Sequence, residues 1–501
     1  MTPSLPPLAG PLAAIDMGSN SFRLEIGQLQ HGRYRRIHYV KETVRLGAGL
    51  DAHGLLGDDA AERGLKCLRG FATRLAGFEA GQVRAVATQT LREARNRDAF
   101  LVRAQTALGF PVEVISGREE ARLIYAGVAH LQPSDEPRLV VDIGGRSTEM
   151  ILGRAGVPSA AESFGVGCVS LSMRFFADGR LSEAGFRAAQ VAAGAEFEEA
   201  LQVFAPERWN EALGSSGTAG SVSEVLAAAG VSDGTITPEG LRWCIERCIE
   251  ARHVDRLALP AMKGDRAAVI AGGLAILSTL FAQFGIKRMS AAKGALRQGV
   301  IVDLHERIEA LHQQRPGDLR DLSVAELQRR FAVDQAQARR VREVALALFD
   351  QACPEADPAS RLELGWACDL HELGLMVSHH DHHRHSAYLL THVDAPGFSQ
   401  SQQRRIGELV LGQRGGLRKV EAALAREPFA WQVLCLRLAI IKCHARAPVT
   451  TASIALRRRG QSALLDFNAD WAAAHPRTHY LLREEAEAWK RTSTLALELR
   501  R

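Results

Sequence analysis

Two segments of the chain carry the same order of apolar run, tight turn and apolar run. Leu139 to Leu152 reads Leu-Val-Val-Asp-Ile-Gly-Gly-Arg-Ser-Thr-Glu-Met-Ile-Leu, which predicts a buried strand, a hairpin turn and a second strand. Ala13 to Leu24 repeats it position by position: Asp16 with Asp142, Gly18 with Gly144, Ser19 with Gly145, Asn20 with Arg146, Ser21 with Ser147. One Asp-x-Gly turn between strands is a weak signal. Two in register predict a duplicated domain with one such loop per half and a ligand cleft between the halves.

Between the repeats, Arg33 to Val44 reads as strand, Asp59 to Phe78 as helix, and Val83 to Ala87 and Pro111 to Ile115 as strands. Thr90 with Glu93 and Ser116 with Glu119 have capping-box spacing, which predicts Arg92 in a first helical turn and a structural bond from Glu119 back to the Ser116 amide. Gln132 to Pro137 reads as the hinge between halves. A glycine-rich strand end at Phe164 to Cys168 follows, then a third strand-loop-helix at Ala212 to Thr218 and an apolar helix after Gly264-Asp265-Arg266. Lys293 to Arg297 precedes the last helix of this half. Composition shifts near Gln313-Gln314-Arg315-Pro316-Gly317, and helical spacing then runs to about Cys443. The tail carries a hairpin around Arg459-Gly460 and a helix through Glu484 to Trp489. The expected domains are 1–132, 133–312, 313–445 and 446–501.

At 501 residues the chain is too long for a single core. Its 46% hydrophobic and 24% charged residues describe an ordinary globular protein. A net charge of +5 hints at an anionic partner without requiring one, and no nucleic acid is needed to explain it. Only eight of 62 basic residues are lysine; a GC-rich genome explains that bias better than phosphate binding by arginine. The eight cysteines form no Cys-x-x-Cys pair, and Cys244 and Cys248 lack a matching second pair, which argues against zinc and for a reducing compartment. No basic region followed by an apolar run opens the chain, so no signal peptide is expected. Ala267 to Ile286 is uncharged and nearly long enough to span a membrane, but Gly272, Gly273, Ser278, Thr279 and Gln283 interrupt it, so a buried core helix is expected.

The candidate chemistry gathers at the turns. Backbone amides around Gly144 and Gly145 can face an anion, since glycine permits close approach and positive φ. Asp142 and Glu149 suit a hard divalent cation shared with phosphate oxygens. Arg92 at a helix start would add a guanidinium to such a site. Glu120 shares a helix face with Leu123, Ile124 and Gly127, so it is either a carboxylate turned toward packed surface, hence a candidate general base, or a partly exposed surface glutamate. Ser216-Gly217-Thr218 is a third loop of small residues, equally readable as an ordinary tight turn. His371, His379, His380, His382, His383, His385 and His392 cluster in the helical region, but without His-Glu-x-x-His order or spaced carboxylates they favour a polar helix junction over a metal site.

Together, Asp16 to Ser21, Thr90-Leu91-Arg92, Ser116 to Arg122, Asp142 to Gly145, Ser216 to Thr218 and Gly294 to Arg297 resemble the exopolyphosphatase and guanosine pentaphosphate phosphohydrolase family of the actin-like superfamily. His371-Glu372-Leu373-Gly374-Leu375 through Tyr388 resembles the C-terminal domain of its long members, related to HD phosphohydrolases, with the histidine-aspartate doublet replaced. The resemblance implies an α/β fold of two actin-like (ribonuclease H-like) domains flanking a cleft, then a mostly helical HD-like domain that binds polymer, and a small α+β segment. It implies Glu120 as catalytic base, and Asp142 and Glu149, with Asp16 as a further candidate, around Mg²⁺, with stimulation by K⁺. Gly18, Ser19, Asn20, Ser21, Arg23, Arg92, Gly144, Gly145, Arg146, Ser147, Ser216, Gly217, Thr218 and Arg266 are the implied phosphate binders. A homodimer in the cytoplasm, free or peripheral to the membrane but without an integral span, is also implied.

Arg146 departs from the family, which usually has a third glycine there. If the position needs positive φ, arginine would cost on the order of 1 kcal/mol, and the side chain would either clamp phosphate or block the loop. The activity expected is Mg²⁺-dependent, processive removal of the terminal phosphate of linear inorganic polyphosphate. Alternatives are hydrolysis of guanosine pentaphosphate to the tetraphosphate and a catalytically impaired polyphosphate- or nucleotide-binding protein. A kinase is disfavoured, because no acceptor pocket can be read.

Overall fold

The two repeats fold as matching sheets. The structure, a computed structural model, describes residues 10–313, 318–492 and 494–500. Strands β1 (Leu12–Met17), β2 (Ser21–Gln30), β3 (Arg33–Thr43), β4 (Val83–Ala87) and β5 (Val112–Val114) form one sheet in the order β3-β2-β1-β4-β5. Strands β6 (Arg138–Ile143), β7 (Thr148–Arg154), β8 (Val157–Phe164), β9 (Glu211–Ser215) and β10 (Ser290–Ala291) form the second, in the order β8-β7-β6-β9-β10. In each, three antiparallel strands come first and two parallel strands extend the other edge. The duplication therefore extends from two short motifs to whole-sheet topology.

Both central strands are buried on both faces, which is why their sequences run apolar without alternation. Ala13, Ile15 and Met17 of β1 pack into the first lobe with Phe22, Leu68 and Phe71, while Leu12 and Ala14 face a layer containing Ile124, Val128 and Val300. On β6, Leu139, Val141 and Ile143 face the second lobe's own helices, and Val140 faces the same shared layer.

That shared layer is a pair of helices, Gly117–Leu131 and Leu296–Gln313. They are exchanged between lobes: Gly117–Leu131 packs on β7 and β8, while Leu296–Gln313 packs on β1 and β2. The helices cross backbone to backbone. A Cβ on Gly299 would lie 1.7 Å from the Leu123 carbonyl oxygen, and one on Gly127 would lie 2.4 Å from that of Ala295. Buried charge fastens the layer to the first sheet. Asp303 accepts from Arg84 at 2.7 Å and Arg122 at 2.6 Å and pairs with Arg307 at 2.6 Å. These three guanidinium groups hold the Asp303 carboxyl well below the usual carboxylate range against the desolvation that would raise it.

The apolar helix Gly264–Gln283 lies in the second lobe's core, with 61% of its most apolar stretch, Arg266–Gln283, buried. Its Ile270, Leu274, Leu277 and Leu280 pack with Leu171, Ala189 and Cys248, so its hydrophobicity is accounted for by packing.

The chain divides into two compact units at residues 315/316; of the segment where composition shifts, residues 314–317 lie outside those described, as do the first residues, on which the absence of a signal peptide was read. The second unit runs as a succession of helices from Leu319 to Lys442, the first break falling between Leu319–Arg330 and Gln335–Ala352. It ends in a sheet ordered β11-β12-β13, built from β11 (Ile454–Arg459), β12 (Ser462–Phe467) and β13 (Ala496–Arg500), with helix Pro476–Lys490 against it. Trp366, Trp431 and Trp489 are its largest fully buried side chains.

Gly299→Ala should destabilise the first unit by about 1–3 kcal/mol or more, the cost of overpacking a rigid contact. Denaturant unfolding measures it, and an unchanged midpoint would mean that the helices do not cross this closely.

Candidate active site

The hairpin turns of the two sheets face each other across a cleft enclosing about 690 Å³, its mouth included. Asp16, Gly18, Ser19, Asn20, Ser21 and Arg23 line it from the first lobe, and Asp142, Gly144, Gly145, Ser147, Ser216, Gly217 and Arg266 from the second. Glu120, from the shared helix pair, lies among them. Strand register sets the charges: Asp16 stands opposite Arg23, and Asp142 opposite Glu149 at the matching place. One hairpin thus presents a compensated pair and the other two carboxylates.

Glu120 is buried, as the packed-face reading expects and the surface reading does not. Arg92 Nη1 donates to its Oε2 at 2.7 Å and to the Ile115 carbonyl at 3.1 Å. Desolvation outweighs this ion pair, and with Asp16 and Asp142 nearby the Glu120 carboxyl is pushed up to about 7. Burial also raises Asp142, against hydrogen bonds from Ser216 and Ser215, and holds Glu149 well above its ordinary value, reinforced by Glu120 and Asp142.

Glu149 is fully buried behind the cleft wall. Its Oε1 accepts from Ser163 at 2.8 Å, while Oε2 has no hydrogen-bond partner among the described residues. An orphaned carboxylate oxygen beside a second under-compensated carboxylate fits a hard divalent cation. No group of three or more His, Cys, Asp or Glu among the described residues is arranged to hold a metal, so a cation on Asp142 and Glu149 would complete its shell with substrate oxygens and water. Asp16 is differently placed: Arg23 bonds it at 3.1 Å and Arg297 lies 3.6 Å away.

Several local expectations are corrected. Gly144, Gly145 and Arg146 all lie outside the left-handed region, so the expected strain at Arg146 does not arise. Gly144 N–H closes the turn on the Ser147 carbonyl at 2.9 Å, and the turn's own carbonyls accept from amides of helix Cys168–Phe175. Arg146 does not line the cleft; it donates to Glu93 at 2.6 and 3.1 Å and to the Gly47 carbonyl at 3.3 Å, joining the two lobes. The Thr90–Glu93 capping box is absent, because the helix is only Gln89–Glu93 with Thr88 as its cap. Thr90 instead donates to Ser19 Oγ at 2.7 Å, and Arg92, in the last turn, has its amide bonded to the Thr88 carbonyl. Ser116 does cap the Glu119 amide at 3.1 Å, while the Glu119 carboxylate takes two bonds of 2.8 Å from Arg122.

The third loop belongs to the site. Ser216 carries φ 60°, a costly conformation for a residue with a side chain, and its hydroxyl donates to the Ile143 carbonyl at 3.2 Å, as Thr218 does at 3.3 Å. Gly217 leaves room for the Arg266 guanidinium over the loop: a Cβ there would lie 1.5 Å from Arg266 Nη2 and push it aside. Sequence reasoning missed Arg297, which lines the cleft and bonds Glu25 at 3.2 Å, although the Gly-Ala-Leu-Arg run at a helix start was its signal. Thr88 and Cys168 were also missed. In the other unit, His371 is buried with Nδ1 on the Cys368 carbonyl at 2.6 Å, and burial and the Arg414 charge push His382 down to about 4.

Residues 26–308 match the family model of the Ppx/GppA phosphatase family, and residues 319–486 that of Ppx/GppA phosphatase domain III. The Aquifex aeolicus PPX-GPPA enzyme is 26% identical, the match covering 58% of this chain and 98% of that one with a TM-score of 0.50. A structure described as an exopolyphosphatase-like protein is also 26% identical, covering 61% and 100% with a TM-score of 0.54. An exopolyphosphatase from Cytophaga hutchinsonii, 24% identical over 60% and 98% with a TM-score of 0.54, shares the fold.

Because Glu120 holds its proton more tightly folded than unfolded, wild-type stability falls as pH rises from the ordinary carboxylate value toward about 7. Glu120→Gln should therefore melt higher than wild type at pH above that window, the two converging in acid. A lower melting temperature throughout would show that Glu120 is not held against its desolvation.

Proposed function

This chain belongs to the Ppx/GppA phosphatase family, and we propose that within it the chain is an exopolyphosphatase, removing the terminal phosphate of linear inorganic polyphosphate by a Mg²⁺-dependent reaction. The observation that carries the proposal is Glu120, a buried carboxylate with a proton affinity near neutral in a cleft between two facing anion loops. A general base works best with its pKa near the operating pH. The likeness to an exopolyphosphatase-like protein supports the choice of substrate.

In this reaction Glu120 accepts a proton from water as the water oxygen attacks the terminal phosphorus. The bond from that phosphorus to the bridging oxygen breaks, and the shortened chain leaves with the electron pair. Arg92 fixes the orientation of Glu120 through its bond to Oε2. Arg23 and Arg266, from opposite walls, hold the phosphate oxygens with the loop residues Ser19, Asn20, Gly145 and Ser147. Mg²⁺ held by Asp142 and Glu149 would neutralise charge on the phosphate oxygens. Phosphoryl transfer needs mainly such positioning and charge compensation.

One observation favours a second substrate. A side pocket of about 300 Å³ shares Ser19 and Asn20 with the cleft and is walled by Val169, Met173, Phe176 and Leu181. Such a wall could take the nucleoside of guanosine pentaphosphate. Phosphate release from the two substrates at matched concentration decides between them: the proposal expects kcat/KM to favour polyphosphate, and preference for the nucleotide overturns it.

Glu120→Gln should lower kcat by about 10²–10⁴-fold, the usual contribution of a general base. The wild-type kcat/KM should rise with pH along a limb inflecting near 7, because the base must be unprotonated. Since Arg92 favours the charged form, Arg92→Gln should move that limb to higher pH. Near-wild-type turnover by the Glu120→Gln variant, or a limb at the ordinary carboxylate value, removes Glu120 as the base.

A further inference from the structure

Strand β3 is the free edge of the first sheet, and its sequence, Arg-Tyr-Arg-Arg-Ile-His-Tyr-Val-Lys-Glu-Thr, is more basic and aromatic than any function assigned so far requires. Its pairing with β2 sorts these residues onto two faces. Lys41 stands opposite Arg23 and Tyr39 opposite Glu25; a bulge at Ile26/Gly27 then returns Arg36, opposite Gly27, to the same face. Arg35 and His38 point to the other face, where His38 accepts from Arg74 at 3.2 Å.

The inner row is continuous with the cleft. Arg297, which lines the cleft, sets its guanidinium 5.2 Å from the Tyr39 ring centroid, and Arg36 lies 5.3 Å from the same ring. Arg23, also in the cleft, is the strand neighbour of Lys41. The acid beneath this row, Glu25, is fully buried and bonded by Tyr34, Arg36, Arg297 and Gln298; a single carboxylate set against two guanidinium groups leaves the row net positive. The Arg36 side chain is 51% exposed and Tyr39 is 39% exposed. Same-face residues on a strand recur about every 6.6 Å, giving a ledge of positive charge that leads outward from the two phosphate loops.

We propose that Arg36, Tyr39 and Lys41 form a distal binding ledge for the internal phosphates of a chain whose terminal phosphate occupies the cleft. This rests on the polyphosphate reading and adds to it an exit path on the first lobe. The occupant is a linear polyanion longer than the cleft, because the ledge is cationic, solvent-facing and joined to the cleft by Arg23 and Arg297. A chain of three phosphates seated in the cleft has few internal phosphates to extend along it.

The test compares Arg36→Gln/Lys41→Gln with Arg35→Gln, which removes positive charge from the opposite face of the same strand. KM is measured for long-chain polyphosphate and for tripolyphosphate. The ledge variant should raise KM for the long chain by about tenfold, the order expected for losing two phosphate contacts, and weaken its dependence on salt. Its KM for tripolyphosphate should rise less than about twofold, and Arg35→Gln should show no length-dependent change. Equal effects on both lengths, or the same effect from Arg35→Gln, would overturn the ledge while leaving the polyphosphate reading intact. Failure of the wild type to hydrolyse polyphosphate of either length would overturn both.

Discussion

The crossing of helices Gly117–Leu131 and Leu296–Gln313 is the contact on which the rest of this unit depends. Two helices that meet through glycine backbones have no side chain to yield, so their separation is fixed by carbonyl and amide atoms. Because each lies on the sheet of the other half of the chain, they also fix how far apart the two hairpin turns stand. Glu120 rides on the first helix and Arg297 on the second, and both reach the cleft. The geometry of the cleft is thus set by core packing rather than by the loops that line it.

Against that rigid frame the charges of the cleft are unevenly paired. Asp16 is matched by Arg23 and Arg297, and Glu120 by Arg92, whereas neither Asp142 nor Glu149 forms an ion pair of its own among the described residues and both are held mainly by serine hydroxyls. Burying a charge without a partner is costly, so burial raises the proton affinity of Asp142 and Glu149 above their ordinary values. Positive charge placed beside Asp142 and Glu149 would relieve that cost. The same burial pushes Glu120 up to about 7, near neutral pH.

Arg146 illustrates how a local rule can mislead. By its spacing it sits where a flexible turn residue was expected, and strain was the natural concern. In the folded chain the turn needs no left-handed residue, and the arginine spans to Glu93 and Gly47 of the other lobe. The Thr90–Glu93 spacing failed because both residues lie inside the helix capped by Thr88, where Thr90 bonds Ser19 and Glu93 bonds Gln89 and Arg146. Local capping is worth about 1 kcal/mol, which a tertiary ion pair or a buried hydroxyl bond can match.

What the sequence determined is whatever depends on neighbours along the chain. The paired apolar runs gave the strands, the Asp-x-Gly turns gave the two loops, and the helix-face position of Glu120 separated it from Glu119. What only the tertiary structure decided is which charge meets which: the exchange of helices between sheets, the place of Arg297 against Asp16, the Arg266 guanidinium over Gly217, and the continuity of β3 with the cleft. The physical reason is range. Periodicity and turn chemistry act over a few residues, whereas Asp16 and Arg297 meet because two sheets and two helices close around them, and no local pattern encodes that distance.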